Sequence, residues 1–245
     1  MAFGLAACAK APASHSPEEA YDPYEASNRE VHALNQSLDR NLVRPAGKGY
    51  AAFMPDDIED AIGRFAFNLS IPRSVVNNVL QGNMRGATED SYRFLVNSTV
   101  GLLGLFDPAT EMRMPEATDA DFGQTLHVWG AREGAYIELP VIGPSNERDT
   151  FGIVVDLFTN PLSYLLDDPE SYYGTVASVS SGLSNRGRYS DTIDSILYES
   201  ADSYAQAKSL YTQNRRFEVK GGSAGALSDP YDAPFSNTLK DPYDE

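Results

Sequence analysis

A mainly α fold, a single helical domain with at most a short hairpin or edge strand, is predicted for this 245-residue chain by three observations. Residues 22–219 divide into segments of helical length punctuated by Pro, Gly, Asp and Asn. Strand chemistry is confined to AYIELPVIGPS at 135–145, where Pro140 restricts it to an edge or hairpin piece. Two stretches, 94–106 and 151–166, are apolar nearly all round in a chain of formal net charge −16.

The elements follow in order. DPYEASNREVHALNQSLDRNLVRP opens a helix, with Asp22 as N-cap, Pro23 in the first position and Glu25 at capping-box spacing. Val31, Leu34, Leu38 and Leu42 share one stripe, and Arg44-Pro45 is expected to close the helix. PDDIEDAIGRFAFNLS starts a second helix whose face carries Ile58, Ala61, Ile62 and Phe65. IPRSVVNNVLQG reads as a separate short helix, opened by Pro72 and stopped near Gly82. TEDSYRFLVNSTVGLLGLFDP begins amphipathic, turns almost wholly apolar, and is expected to break at Asp107-Pro108. Residues 108–121 are loop-like, and DFGQTLHVWG is a short helix ended by Gly130. RDTFGIVVDLFTNPLSYLL is an apolar helix broken at Asn160-Pro161. A Ser-rich helix over 170–187 and a long helix over 191–217, with Ile193, Ile196, Leu197, Leu210 and Tyr211 on its stripe, complete the domain.

Charge and motif content narrow the function. Thirty-five acidic against 19 basic residues disfavour a nucleic-acid partner, which needs a basic footprint. No stretch supplies the roughly 18 consecutive apolar residues of a spanning helix. The 94–106 segment, interrupted by Asn97, Ser98 and Thr99, has the length of a buried core helix or an interfacial one. GxSxG, HExxH, P-loop and GxGxxG patterns are missing, and the three histidines, His15, His32 and His127, are scattered. No enzyme, metal site or cofactor is expected. The acidic pairs Asp56-Asp57 and Glu89-Asp90 are explained by helix dipoles.

The one cysteine, Cys8, ends the run Leu5-Ala6-Ala7-Cys8. That run resembles the lipobox of bacterial lipoproteins, in which the cysteine becomes an acylated N-terminus. Residues 1–7 then read as a truncated signal segment, 8–21 as a flexible tether rich in Ala, Pro and Ser, and 220–245 as a disordered acidic tail.

Several long segments together resemble the MlaA (VacJ) family of outer-membrane phospholipid-transport lipoproteins. They are DPYEASNREVHALNQSLDRNLVRP, FNLSIPRSVVNNVLQG, RFLVNSTVGLLGLFDPA, DFGQTLHVWG and YIELPVIGPSNERD. The resemblance implies a ring-like helical domain over 22–219, embedded in the inner leaflet of the outer membrane around an amphipathic channel. It implies removal of mislocalised phospholipid from the outer leaflet, hand-off to a soluble periplasmic lipid carrier, and association with a trimeric porin. The protein would be lipid-anchored and periplasmic-facing. In that setting Phe94, Leu95, Val96, Leu102, Leu103, Leu105 and Phe106 are candidates to contact the membrane. Asn28, Asn35, Asn97, Ser98 and Thr99 are candidates to line the channel, and Gly130 and Gly134 to act as hinges. A structural envelope lipoprotein that binds porins without moving lipid, and a lipid-active enzyme, are the alternative readings; the missing nucleophile motif weighs against the second.

Overall fold

The computed structural model describes residues 19–220. Cys8, the 1–7 signal segment, nearly all of the 8–21 tether and the 220–245 tail beyond its first residue lie outside the described residues.

Helix α1 spans Glu25–Leu38. It starts later than expected, because the Asp22 carboxylate is not a cap: it accepts hydrogen bonds from Asn28, Tyr204 and Lys208. Arg44-Pro45 does not end the helical path. A π turn, Asp39–Val43, leads directly into α2, Arg44–Phe53. The ladder is already out of step at that turn, so the N–H that Pro45 lacks is not missed.

Helix α3 runs from Asp56 to Leu80, with Asp56, Asp57 and Glu59 in its first turn. It passes straight through Pro72, so the two helices expected on either side of that proline are one. Proline's fixed φ suits a helix; what it forfeits is one ladder bond. Packing of α3 along α4, α6 and α9 outweighs that loss. Helix α4, Met84–Thr99, is capped by Asn83. It ends well before Asp107-Pro108, and residues 100–106 form a tight non-helical turn. Asp107 then caps the short α5, Pro108–Glu111.

Helix α6, Phe122–Val128, ends at Gly130, which has a left-handed φ of 93°. The N–H of Gly130 reaches the His127 carbonyl, and that of Ala131 the Leu126 carbonyl, which is a Schellman closure. Strands β1, Tyr136–Leu139, and β2, Gly143–Asn146, pair antiparallel with Tyr136 opposite Asn146, and Pro140 falls in the connecting turn. Asn146 caps α7, Glu147–Thr159. Asn160-Pro161 separates it from α8, Leu162–Leu165. Helix α9 covers Tyr173–Arg188. The expected long helix over 191–217 is divided. α10, Ser190–Asp194, and a π turn, Ser195–Glu199, precede α11, Ser203–Val219. The Asp202 side chain accepts from the Ala205 N–H and so starts a new helix.

Helix α9 packs on both α2 and α3, α3 packs on α4, and α6 packs on α7. The hairpin is held between α1 and α11. Helices α2 and α9 touch at Gly47 and Gly187, where an added Cβ would strike the facing backbone.

The polarity of this packing is reversed. Helix α4 buries Asp90, Arg93 and Asn97; α3 buries Glu59, Asn68, Ser74, Asn77 and Asn78; α7 buries Arg148, Asp149 and Asp156. Among the described residues the large apolar side chains that are fully buried are Ile71, Leu126, Tyr136 and Tyr204. Much of the apolar stripes that would face the core of a water-soluble protein points outward instead, while Val31, Leu38, Ile62 and Phe65 are half-buried. Leu34 is 50% exposed, Leu42 64% and Leu157 69%, while Asn28 and His32 turn inward.

Candidate functional site

Two polar centres hold this interior together. In the first, the Arg215 guanidinium grips Asp121 at 2.8 Å and Asp149 at 2.9 Å. Asp149 also accepts from Arg148, Asn146 and Tyr211. Burial alone would raise the Asp149 carboxyl, but Arg215 and Arg148 outweigh it and hold it below the usual carboxylate range. The hairpin is fastened to α1 by the same means. Asn28 donates to Asp22 and to the Tyr136 carbonyl, and accepts from the Glu138 N–H. Asn35 donates to the Leu139 carbonyl and accepts from the Val141 N–H.

The second centre lies between α3 and α4 and their neighbours. Asn77 donates to Asp156 at 3.0 Å, and Asn78 to Asp90 at 2.9 Å. Burial raises the Asp90 carboxyl despite bonds from Thr118. Arg93 reaches Asp107 and the Pro115 carbonyl. Asn97 donates to Asp107 and accepts from the Ala109 N–H. This centre is not saturated. Among the described residues, the buried side-chain atoms without a hydrogen-bond partner include Asn68 Oδ1, Arg73 Nε, Ser74 Oγ and Arg93 Nε on α3 and α4, with Tyr50 Oη on α2 and Glu59 Oε1 toward α9.

Outside this layer stands the turn over 100–106, VGLLGLF. Leu102, Leu103 and Gly104 take three successive left-handed conformations, with φ of 51°, 62° and 95°. For an L side chain this costs roughly 1–2 kcal/mol per residue. The turn is nonetheless well specified: the Leu103 N–H bonds the Ser98 carbonyl, Gly104 that of Asn97 and Phe106 that of Gly101. Leu102, Leu103 and Phe106 are each more than half exposed.

The structure places the sequence candidates as follows. Leu95, Leu102, Leu103, Leu105 and Phe106 are exposed, and Phe94 and Val96 are half-buried. The Asn28 and Asn97 amides are committed to the hairpin and to the Asp107 turn. The Ser98 hydroxyl accepts from Asn68, and exposed Thr99 bonds back to the Leu95 carbonyl. Gly130 has open space around it, whereas Gly134, φ 74°, is packed against Glu147. His32 lies 3.3 Å from Glu138 and 3.1 Å from Ser203, a spacing like that of a base between an acid and a nucleophile. The Ala205 N–H in the same helix turn caps onto Asp202. Arg64 and Asn68, which grip the 100–106 turn, were not singled out in the sequence; only their i, i+4 spacing hinted at a shared face.

No helix of the described residues is long and apolar enough to cross a membrane. A polar interior under a surface rich in large apolar side chains is nevertheless the reverse of a water-soluble helical domain, and defines the class. The chain belongs to the MlaA lipoprotein family, whose profile matches residues 20–218. A protein of Rickettsia felis is 34% identical over 203 residues, covering 82% of this chain and 79% of its own. The intermembrane phospholipid transport system lipoprotein MlaA of Escherichia coli K12 is 29% identical over 223 residues, covering 90% and 87%. A solved structure described as "Structural basis for maintenance of bacterial outer membrane lipid asymmetry" superposes with a TM-score of 0.69 at 28% identity, over 81% of this chain and 98% of the other.

Proposed function

We propose that this chain is an outer-membrane lipoprotein that removes mislocalised phospholipid from the outer leaflet and passes it to a soluble periplasmic carrier. The observation that carries the reading is the reversed polarity, which suits a body surrounded by acyl chains with a wet interior. The names of the Escherichia coli relative and the solved structure point the same way. Carrying a phospholipid through water would expose about thirty methylenes, a cost on the order of 20 kcal/mol. Drawing its headgroup through hydrocarbon is costly in the opposite sense. A passage with a polar wall and an apolar outside lowers both terms.

In this account Cys8 carries the acyl anchor, and the 100–106 turn together with Leu95 lies against lipid. The unsaturated α3–α4 layer borders the lipid path, with Ser98 and Thr99 at its edge, Asn35 lies instead at the α1–hairpin junction, and Gly130 and Gly134 let the hairpin move. A trimeric porin is the neighbour in the membrane. The step uses no nucleotide, metal or hydrolysis; its direction comes from relative lipid affinity along the path. The test is gene deletion with an assay of outer-leaflet phospholipid. Deletion should raise it, the wild-type chain should restore it, and Cys8→Ala should restore it poorly. An unchanged outer leaflet after deletion contradicts the proposal.

A further inference from the structure

Arg64 and Asn68 stand one turn apart on α3 and hold alternate carbonyls of the 100–106 turn. Arg64 Nε donates to the Leu105 carbonyl at 3.0 Å, and Asn68 Nδ2 to that of Leu103 at 3.2 Å. Gly104 lies so close to Asn68 that a Cβ there would overlap it. Left-handed leucines persist only where the surroundings over-determine them, and such segments concentrate at working surfaces. Here the strain displays Leu102, Leu103 and Phe106, and the apolar surface continues along α4 through Val100 and Leu95.

Arg64 itself has an unmet requirement. A guanidinium stays charged at any relevant pH. No carboxylate lies within ion-pair distance of Arg64 among the described residues. Asp60, one turn earlier on the same face, is taken by Arg188 at 2.6 Å. Arg44, Arg93, Arg186, Arg188 and Arg215 have carboxylate partners. Among the described residues Arg64 shares its lack of one with Arg40, Arg113 and Arg132, and differs from them in donating to a carbonyl of the 100–106 turn. A permanent cation beside a hydrocarbon-facing turn is unfavourable unless an anion meets it. The Nε bond to Leu105 fixes the head group, and the terminal amino groups remain to donate to phosphate oxygens.

Resting on the phospholipid reading above, we propose that Arg64 and the 100–106 turn form a docking site for one phospholipid. The phosphodiester meets the Arg64 guanidinium, and the acyl chains lie on Leu102, Leu103 and Phe106. The bilayer is the source of this ligand, because the apolar half of the site has no use for a free phosphate.

The test uses the full acylated protein carrying Leu103→Trp as a probe, bound to vesicles of phosphatidylethanolamine and phosphatidylglycerol with brominated acyl chains. Quenching beyond that of Trp129 in the protein without the probe is expected. Arg64→Gln should weaken vesicle binding at least five-fold and reduce quenching, with a cooperative thermal transition in detergent retained and only slightly lowered. Arg64→Lys should recover part of the loss. Millimolar inorganic phosphate should not compete. Arg64→Gln behaving as wild type would overturn the site, as would displacement by inorganic phosphate. Lipid transfer to acceptor vesicles is measured in parallel. Wild-type protein that shows the Arg64 effect but transfers nothing defeats the transport reading and leaves the site standing; normal transfer with no Arg64 effect does the reverse.

Discussion

The region around the hairpin and the region around α3 and α4 are built from the same residue types, yet their interiors are finished differently. Around the hairpin, Asp149, Arg215, Asn28 and Asn35 tie chain segments more than sixty residues apart into a closed network. Between α3 and α4 the buried layer keeps unpartnered polar atoms, and the exterior carries a strained apolar turn. Burying an unpaired polar atom costs about 1–3 kcal/mol, so a layer that retains several is not optimised for stability alone. In the proposed function the first region is scaffold and the second is the working surface.

The largest expected effect should come from breaking the scaffold. Asp149→Ala leaves buried Arg215 and Arg148 without their shared anion and removes acceptors for Asn146 and Tyr211. A loss of about 3–5 kcal/mol is expected, read by urea unfolding in detergent. A loss below about 1 kcal/mol would mean that the hairpin region is not the scaffold.

On the working surface the expected effects on stability are smaller and those on lipid handling larger. Gly104→Ala forces a Cβ into Asn68 at a left-handed φ. It should cost about 1–3 kcal/mol and lower membrane association. Leu102→Asp, at a position 59% exposed, should change stability by no more than about 0.5 kcal/mol while sharply reducing vesicle co-sedimentation. An unfolded Leu102→Asp protein would make the turn ordinary core. At the proposed hinge, Gly134→Ala meets Glu147 whereas Gly130→Ala meets nothing. Slower lipid transfer is therefore expected for both, with the larger loss of melting temperature at Gly134. Wild-type transfer rates for both would remove the hinge.

What the sequence made legible depended on what each signal assumes about the surroundings. Capping and breaking are local chemistry. Gly130, Asn160-Pro161 and the hairpin around Pro140 were therefore placed where the structure has them. Pro45 and Pro72 misled because a proline forbids one hydrogen bond, not a helix, and π turns or long-range packing decide whether the chain goes on. Apolar stripes such as Leu34 and Leu42 marked helical period correctly but not direction, since period alone does not say whether water or hydrocarbon lies outside. The Asp149–Arg215 pair and the Arg64–Leu105 bond join distant positions, and no spacing rule reaches across such gaps.

The smallest effect is a pH dependence in the scaffold region. Burial, with Arg148 close by, lowers the His127 imidazole below its ordinary value. The folded state then binds fewer protons than the unfolded state as pH falls through about 6.5, so stability should decline from pH 8 to pH 5. His127→Gln should flatten that slope in thermal melts. An equal slope in both proteins would assign the dependence elsewhere.

The central claim, that the outward apolar face of α3, α4 and the 100–106 turn meets lipid while α11 does not, is tested most directly by photolabelling. Acylated protein on vesicles containing a diazirine-bearing phospholipid would be irradiated, digested and mapped by mass spectrometry. Adducts concentrated at Leu95, Leu102, Leu103 and Phe106, with few on residues 203–219, are predicted. Adducts spread evenly over both regions, or gathered on α11, would contradict the account.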